Sequence, residues 1–527
     1  SFQQRSGGPE QSAIIEVKST GVALLDFDND DLLDLFFSAG STIERQRAGL
    51  PGFGARLFHN LGGMKFEEVT SSCGIPALGW ACGAAAADVN GDGWVDLLVT
   101  VYGTDRLFLN RGGHFQEVTS SAGLLDNGWS TSAAFGDLDG DGDLDIYIAG
   151  YLDFDFKHPP VHGAPYRGTL LNCLWKDQPV VCGPRGLPPR ADTVYENLGD
   201  GTFRDVSVEW GFHAVAPRYG LAVVIADLTG DGKPDVFVAN DSSANFLFEN
   251  RGGQFQEVGF VAGVSVNEDG QEEAGMGIAV ADLDGNGHLD LVVTNFEEER
   301  NNLYLNDGTG VFLDRATLWG IGAPSQRFLS WGVGCYDFNQ DGLLDLFVAN
   351  GHVYPQAAEV ADSVGYAQRD HLYVGVRTEN GVRYRERGVE VGLTSKRVSR
   401  GAAFGDLDND GDVDVVVCHL NDRPAIYENR PRGNQHSLIL RLRQPGKNRD
   451  ALGARVEVRV GNVHRVTEVQ RQFSFQASSD PRVYVGLGAQ PPSGEVRVRW
   501  PEGTWELFRV PAGGGFLELS KGNGKAP

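Results

Sequence analysis

Aspartate residues recur along this chain at a spacing that suits a metal ion. A nine-residue pattern with Asp at positions 1 and 9 occurs seven times, with Asp, Asn or Thr at position 3 and Asp or Asn at position 5. Calcium binds about six to eight oxygens at roughly 2.3–2.6 Å. Alternate side chains of a curled loop, together with the carbonyl group of residue 7, supply such oxygens. The pattern therefore predicts a calcium loop in each copy.

The predicted side-chain ligands occupy positions 1, 3, 5 and 9 of the seven loops. They are Asp26, Asp28, Asp30 and Asp34; Asp88, Asn90, Asp92 and Asp96; Asp137, Asp139, Asp141 and Asp145; Asp227, Thr229, Asp231 and Asp235; Asp282, Asp284, Asn286 and Asp290; Asp337, Asn339, Asp341 and Asp345; Asp406, Asp408, Asp410 and Asp414. The predicted backbone ligands are the carbonyl groups of Leu32, Trp94, Asp143, Lys233, His288, Leu343 and Asp412. A lone acidic loop is often a solvated turn, but seven copies in register argue for up to seven Ca²⁺.

Short apolar runs flank every loop and predict β-strands. A run of small residues precedes each loop, and a run such as LLVTV or VFVAN follows it. A second motif, of the form RLFLNRGGHFQEV, alternates with the loops and predicts a hairpin with a Gly-rich turn. Each period thus supplies four strands, and seven periods predict an all-β, seven-bladed propeller. The run AIIEV (13–17) is expected to complete the last blade as its outer strand.

Composition and charge narrow the class of protein. The net charge of −26 argues against nucleic acid and anionic membrane surfaces as partners. No apolar run is long enough to span a membrane, and no basic-then-apolar leader follows Ser1. Two C-x8-C pairs, Cys73–Cys82 and Cys173–Cys182, predict two disulfides and an oxidising compartment, with four reduced thiols as the alternative.

The calcium pattern stops near residue 430. We therefore expect two domains: a propeller over residues 1–430 with an insertion at 152–192, and a small β-sandwich-like domain over residues 431–527. Alternating runs such as RVEVRV and EVRVRW predict its strands. Arg is frequent there, so the domain is expected either to dock on the propeller rim or to recruit a partner.

These motifs resemble the FG-GAP/VCBS family of integrin-like propellers. The C-terminal stretches LGARVEVRVG (452–461), SSDPRVYVGLG (478–488) and VRVRWPEG (496–503) resemble the ASPIC/UnbV domain, whose usual GYLSQSDP stretch stands here as FSFQASSDP (473–481). The combination is that of secreted repeat proteins of bacteria and animals. It implies calcium binding and a location outside the cell, at the cell surface or in the periplasm. UnbV-type proteins also accompany biosynthetic clusters, which keeps an enzymatic role open.

A ligand face is expected opposite the calcium loops, where aromatic and polar residues flank the inner strands. Its candidates are Trp80, Trp129, Tyr219, Trp331, Asn240, Asn295, Asn350, His352 and His419. The alternative is that the Asn side chains cap strand ends and bond loop backbone. We expect the insertion to cover the axis on this face. His158, His162, His352 and His419 are candidates for a second, transition-metal site, with a structural role as the alternative.

Calcium-dependent binding outside the cell, to a protein, a glycan or another copy, is the function we expect. No G-x-S-x-G, H-E-x-x-H or phosphate-binding loop occurs, so catalysis is the less favoured class. The alternatives are an enzyme or metal-dependent accessory factor, with its site at the propeller axis under the insertion, and a structural subunit of a surface assembly.

Overall fold

Each acidic loop joins the first and second strands of a β-sheet. The computed structural model describes residues 2–8, 10–379, 381–430, 435–489, 493–511 and 514–527. The first strands are Val22–Leu25, Trp80–Ala87, Gly128–Gly136, Gly220–Ala226, Ile278–Ala281, Ser330–Tyr336 and Ser399–Gly405. The second strands, each starting at the Asp of loop position 9, are Asp34–Phe37, Asp96–Gly103, Asp145–Gly150, Asp235–Asn240, Asp290–Val293, Asp345–Asn350 and Asp414–His419.

The hairpin motif supplies the third and fourth strands of the sheets. The third strands are Arg56–Asn60, Arg106–Asn110, Thr193–Asn197, Phe246–Asn250, Asn302–Asn306, His371–Thr378 and Ala425–Tyr427. The fourth strands are Phe66–Glu68, Phe115–Glu117, Phe203–Asp205, Phe255–Glu257, Phe312–Asp314 and Gly381–Glu386. Within the described residues the seventh sheet has three strands. The pairings among the four successive strands of a blade are antiparallel, as the short connections require.

The seven sheets close into a ring. The first strands of consecutive blades contact one another, and the first strand of blade seven contacts that of blade one. The expected seven-bladed propeller is therefore confirmed. The expected outer strand at 13–17 is wrong, because Ile14–Val17 forms a buried 3₁₀ turn. Its Glu16 carboxylate accepts hydrogen bonds from the backbone N–H groups of Ser12 and Ala13, which ties the segment into a turn.

A small second unit of two sheets follows the propeller. One sheet has the order Val483–Gly488, His436–Arg443, Gly515–Ser520, and the other the order Val463–Glu468, Arg455–Val460, Gly494–Arg499, Trp505–Val510. Leu438 and Leu440 of the first sheet and Val456 and Val498 of the second lie in one buried cluster. The sheets therefore form a sandwich, as predicted.

The axial segment, residues 471–480, leaves this sandwich and enters the centre of the propeller. Ala477 and Ser478 pair in parallel with Val22 and Ala23 of blade one. Ser474 exchanges backbone hydrogen bonds with Ile278 of blade five. Small residues on the inner strands make room for the segment. At Gly401, for example, an added Cβ would lie 2.8 Å from the Phe475 carbonyl oxygen.

The helices are short and lie in the connections. They are Ile14–Val17, Ile43–Arg47, Phe212–Ala214, Gly259–Ala262, Ala316–Trp319, Gly322–Ser325 and Pro355–Glu359. Short strand pairs at Pro165–Tyr166 with Thr169–Leu170, Leu174–Trp175 with Gln178–Pro179, Gln368–Arg369 with Lys396–Arg397, and Gln472–Phe473 with Ala477–Ser478 complete the chain. In the described ranges, every helix falls short of the length and apolarity that a bilayer crossing needs.

The insertion covers the end of the axis opposite the acidic loops. Phe154, Phe156 and Leu187 of the insertion lie in one buried cluster with Trp80 and Trp129 of the inner strands. The predicted Cys173–Cys182 disulfide is confirmed. The predicted Cys73–Cys82 bond is wrong, because both are free, buried thiols, and the Cys82 sulfur lies 3.5 Å from the Ser19 hydroxyl oxygen.

Candidate functional site

Two left-handed residues curl each acidic loop around its own centre. Position 6 has a positive φ in every copy, as the Gly pattern predicts, and so does position 4, which the sequence reasoning missed. The position 4 residues are Asn29 (60°), Gly91 (71°), Gly140 (84°), Gly230 (77°), Gly285 (78°), Gln340 (57°) and Asn409 (57°). Left-handed turns at two places bring positions 1, 3 and 5 to the same side of the loop.

The Asp at position 9 ties its loop to the neighbouring strand. In all seven blades one carboxylate oxygen accepts a hydrogen bond of 2.8–2.9 Å from a backbone N–H of the third strand. In six blades the other oxygen accepts from the backbone N–H of position 2 at 2.8–3.0 Å. Each oxygen keeps a lone pair for a further partner, so these bonds leave room for a cation.

In six blades an Asn at or just after the end of the third strand bonds to the acidic loop of the preceding blade. The side-chain amides of Asn60, Asn110, Asn197, Asn250, Asn306 and Asn429 donate to the position 2 carbonyl of the preceding loop at 2.7–3.0 Å. Gly375 stands at this place in blade six, and its N–H bonds only to the loop of its own blade at 2.9 Å. The N-x-G turn motif was visible in sequence, but its role between blades was not predicted.

The acidic side chains converge in the way a cation site requires. In four loops the carboxylate oxygens of positions 1, 3 and 9 lie within 4.8 Å of one another. Loops two, four and six carry Asn or Thr at position 3. In loop one, His59 Nε2 lies 3.0 Å from Asp28 Oδ2. Buried oxygens of Asp28, Asp227 and Asp345 have no hydrogen-bond partner in the described part of the chain. His59 adds a nitrogen donor beside Asp28 and Asp30 in loop one, and the other clustered donors are carboxylate oxygens, which fit Ca²⁺.

Burial makes the charged form of these carboxyl groups costly. It raises the pKa of Asp34, Asp96, Asp145, Asp290 and Asp345 to about 8, and that of Asp235 and Asp414 to about 7. Backbone hydrogen bonds lower these pKa values, and burial outweighs them. A divalent cation held between the carboxylates would offset this cost and favour the ionised form.

Basic side chains of the C-terminal unit reach all seven loops. Each loop is contacted by a different one: Arg441 at Asp31, Arg449 at the Gly91 carbonyl, Lys447 at Asp143, Arg499 at the Gly232 carbonyl, Arg455 at the Gly287 carbonyl, Arg465 at the Gly342 carbonyl and Arg482 at the Asp406 carbonyl. The separations run from 2.6 Å for Arg441 to 3.4 Å for Arg449. The domain thus docks on the propeller face that carries the acidic loops rather than on the rim. Its frequent Arg residues contact these loops.

The expected ligand face is largely interior. Trp80, Trp129 and Trp331 are 0% exposed. Trp80 stacks on Phe156 of the insertion with ring centroids 5.4 Å apart, and Trp331 packs on Phe475 of the axial segment at 4.7 Å. The half-buried Tyr219 donates to a carbonyl of the insertion at 2.8 Å. The sequence placed these residues at the end of the axis opposite the acidic loops, where the insertion and the axial segment pack against the three tryptophans.

The polar candidates bond backbone, as the alternative interpretation stated. Donor–acceptor pairs join Asn240 to the Ala244 carbonyl (3.0 Å), Asn295 to the Arg300 carbonyl (2.6 Å), Asn350 to the Arg369 carbonyl (3.0 Å) and His419 to the Arg423 carbonyl (2.7 Å). The four histidines of the expected transition-metal site are not brought together. None of the clusters of metal-ligating groups in the described residues contains His158, His162, His352 or His419.

A cavity of about 410 Å³ remains at the axial end beneath the insertion. Its apolar wall includes Met276, Phe296 and Trp331. Its charged residues are Lys18, Arg185, Asp241 and Glu299. Glu299 accepts hydrogen bonds from the backbone N–H groups of two neighbouring residues, and burial raises its pKa to about 7. The sequence reasoning missed Lys18, because no motif surrounds it.

A closed ring of sheets with an acidic loop between the first two strands of each defines a repeat β-propeller. The FG-GAP-like repeat family matches residues 26–99, 88–148, 180–238, 227–293 and 282–348, and the ASPIC and UnbV family matches residues 444–526. The repeat matches cover more than half of the chain. The chain therefore belongs to the FG-GAP-like repeat family, with an ASPIC and UnbV domain after the repeats.

The curated relatives carry a single name. Cartilage acidic protein 1 of Homo sapiens is 27% identical over 321 residues, which are 59% of this chain and 45% of that protein. Cartilage acidic protein 1 of Xenopus tropicalis is 25% identical over 333 residues, which are 61% of this chain and 47% of that protein. The match thus spans less than half the length of these relatives.

Solved structures match this chain at low similarity. A lectin of Agrocybe aegerita that recognises non-reducing terminal N-acetylglucosamine is 18% identical, with a TM-score of 0.40 over 77% of this chain and 86% of that chain. The biofilm matrix protein Bap1 of V. cholerae is 16% identical, with a TM-score of 0.32 over 98% of this chain and 75% of that chain. Similarity this low says nothing about what the chain binds.

Proposed function

We propose that this chain is a secreted calcium-binding propeller that acts outside the cell as a binding, adhesion or scaffold protein. The observation that carries the calcium proposal is the convergence of carboxylate oxygens within 4.8 Å in the acidic loops. The proposed ligands are the residues at positions 1, 3, 5 and 9 and the carbonyl group at position 7. Calcium bound there would neutralise buried carboxylates and hold strands one and two of each blade together.

A location outside the cell is supported by the Cys173–Cys182 disulfide, because such bonds persist in oxidising compartments. We also propose that residues 1–430 and 431–527 are the two domains. They are not independent bodies, since the axial segment of the second runs through the first. The basic residues of the second domain contact all seven loops, so we propose that calcium also supports its docking.

The binding role is supported by apolar side chains on the outer edge of neighbouring blades. Val208, Phe260 and Leu318, which follow the fourth strands of blades three, four and five, are 76%, 76% and 59% exposed. Exposed apolar groups just after the fourth strands of adjacent blades suit a protein partner or another copy of the chain. A glycan is the alternative ligand. Replacing Phe260 by Ser and measuring self-association by sedimentation tests the copy–copy form.

Thermal unfolding with and without calcium tests the calcium proposal. A ligand that binds only the folded state stabilises it, by about 2.7 kcal/mol per site at one hundred times its dissociation constant. We expect the Tm of purified protein to fall when EGTA is added and to recover with excess Ca²⁺. Magnesium at the same concentration should restore less, because it prefers a strict octahedron. A Tm that EGTA leaves unmoved would contradict the proposal.

The second candidate function is an enzyme or metal-dependent accessory factor that works at the axial cavity. The observation that favours it is the cavity itself, which lies beneath the insertion and contains four charged side chains. Elemental analysis of purified protein distinguishes the two candidate functions by the metal that the protein holds. Calcium alone supports the binding role, whereas stoichiometric copper, iron or zinc would support the accessory factor.

A further inference from the structure

A lysine is buried at the wall of the axial cavity with an acid and a phenol. The side chain of Lys18 is 5% exposed and that of Asp241 is 7% exposed. Lys18 Nζ donates to Asp241 Oδ2 and lies 2.5 Å from the Tyr151 hydroxyl, which itself donates to Asp241 Oδ2 at 2.6 Å. Each pair of the three groups is hydrogen-bonded, so a proton can pass among them without solvent.

Positive charge and aromatic rings surround this lysine. Arg400 is fully buried, donates to the Val17 carbonyl at 2.8 Å, and stacks over Trp331 with its guanidinium carbon 4.4 Å from the ring centre. The Lys18 ammonium lies 4.4 Å from the Tyr151 ring centre. Burial lowers the pKa of Lys18, Asp241 opposes this, and Arg400 adds to it. The same burial raises the pKa of Tyr151, which stays a phenol.

An ordinary structural lysine keeps its ammonium group in water and pairs at the surface. Lys176, also at this end of the axis, pairs with Glu297 and Glu298 at 2.9 and 3.0 Å, and these partners raise its pKa. Lys18 has one carboxylate partner, a second cation nearby and a cavity beside it. Burial and a neighbouring cation are features of lysines that act as amine nucleophiles.

We propose that Lys18 forms a reversible imine with an aldehyde or ketone bound in the axial cavity. The inference rests on the cavity, not on the calcium loops. The walls at Phe296, Trp331 and Tyr354 select a carbonyl compound with an apolar or aromatic body, and the cavity volume of about 410 Å³ limits it to a small molecule.

The step balances with the groups present. Lys18 passes one proton to Asp241, and its nitrogen lone pair attacks the carbonyl carbon while the C=O π pair moves to oxygen. That oxygen takes the proton back from Asp241 through the Tyr151 hydroxyl. The nitrogen then gives a second proton to Asp241, which returns it to the new hydroxyl group. Water leaves, and a protonated imine remains on Lys18. The net change is one ammonium and one carbonyl to one iminium and one water.

Reductive trapping with benzaldehyde tests the proposal on the full-length protein. Sodium cyanoborohydride reduces an imine to a stable secondary amine, and peptide mapping by mass spectrometry locates the added benzyl group. At pH 7 with calcium present, we expect Lys18 to be labelled faster than Lys176, since burial favours the neutral amine at Lys18 and the two Glu partners favour the ammonium at Lys176. Labelling of Lys18 no faster than that of Lys176 or the exposed lysines would overturn the proposal.

Two variants test whether Lys18 is labelled because the Tyr151 hydroxyl relays protons to it or only because it is accessible to the aldehyde. Tyr151→Phe keeps the ring and removes the hydroxyl, so we expect labelling of Lys18 to slow by about tenfold or more in protein that remains folded. Tyr166→Phe, a matched change in the insertion, should leave the rate unchanged. Equal rates in both variants would overturn the relay. Calcium content is measured on the same samples, so a protein that labels at Lys18 but binds no calcium would keep this inference and lose the proposed calcium role.

Discussion

The side-chain amide of Asn60 donates to the Leu407 carbonyl at 2.8 Å and so joins the first blade to the seventh. The same bond links other neighbouring blades, as from Asn110 to the Phe27 carbonyl at 2.7 Å. The hydrogen bond that links neighbouring blades therefore also links blade seven to blade one and closes the ring. Within the described residues no strand from the start of the chain pairs with blade seven. The segment before blade one instead bridges the two blades, with the Gln4 N–H donating to the Asp422 carbonyl at 3.0 Å.

Asn60→Ala should destabilise the fold by about 1–3 kcal/mol, because it leaves two buried carbonyl groups without a donor. Urea unfolding at fixed calcium measures this change. Asn110→Ala removes the equivalent bond between blades one and two and serves as the matched variant, with an expected loss of the same size. A loss at Asn60 much smaller than at Asn110 would mean that the ring is closed by other contacts.

Asp284→Ala should remove one Ca²⁺ per molecule and lower the Tm. Asp284 lies at position 3 of the fifth loop, and its carboxylate faces those of Asp282 and Asp290 within 4.8 Å. Elemental analysis after dialysis gives the stoichiometry. Asp307→Ala, an exposed acid in a turn outside the loops, is the control and should leave the calcium content as it was. An unchanged content in Asp284→Ala would remove this residue from the proposed ligand set.

Phe475→Ala should cost about 3–5 kcal/mol, because a fully buried ring on the axis is replaced by a void. The axial segment belongs to the C-terminal unit and packs on Trp331, so we expect both units to lose stability together in one transition. Phe516→Ala, at a half-exposed position of the sandwich, should cost much less. Two separate transitions in the wild-type protein would contradict the joint folding of the units.

The contribution of His352 to stability should fall as the pH drops from 7 towards 5. Burial lowers its pKa to about 3, and Arg400 and Lys176 add to the effect. The unfolded imidazole has a pKa near 6.5 and binds a proton that the folded one refuses, so acid favours the unfolded chain below that pH. Within the described residues, the acid that faces its ring is Glu297, with Oε2 at 3.4 Å from Nε2.

His352→Gln should therefore flatten the pH dependence of the unfolding free energy between pH 7 and 5 at saturating calcium. His158→Gln, a change at a side chain that is 82% exposed, is the matched control and should keep the wild-type slope. Parallel slopes in the wild type and His352→Gln would show that other groups cause the acid sensitivity.

The repeated part of the fold could be predicted from sequence because each copy has the same residue types at the same spacing. The Asp at position 9 marks the start of every second strand, and the Gly-rich turn marks the third. The error at 13–17 has a local cause. Ile14, Ile15 and Val17 are all buried, so the run has no alternation to distinguish a strand from a turn, and Glu16 ties it into a turn.

The axial end was less predictable, because its contacts join parts of the chain that are far apart in sequence. Trp80 and Trp331 lie at inner-strand ends, as predicted, but the insertion and Phe475 cover them. The substitution of FSFQASSDP for the usual stretch could be seen in sequence, whereas its place on the propeller axis could not. Lys18 and Asp241 meet across the fold, and no spacing rule relates them.

Calcium-dependent anomalous scattering from a crystal grown with excess Ca²⁺ tests the central claim most directly. The account predicts an anomalous peak enclosed by positions 1, 3, 5 and 9 in the acidic loops, beneath the basic side chains of the C-terminal unit. Loops that hold no anomalous scatterer under these conditions would contradict it.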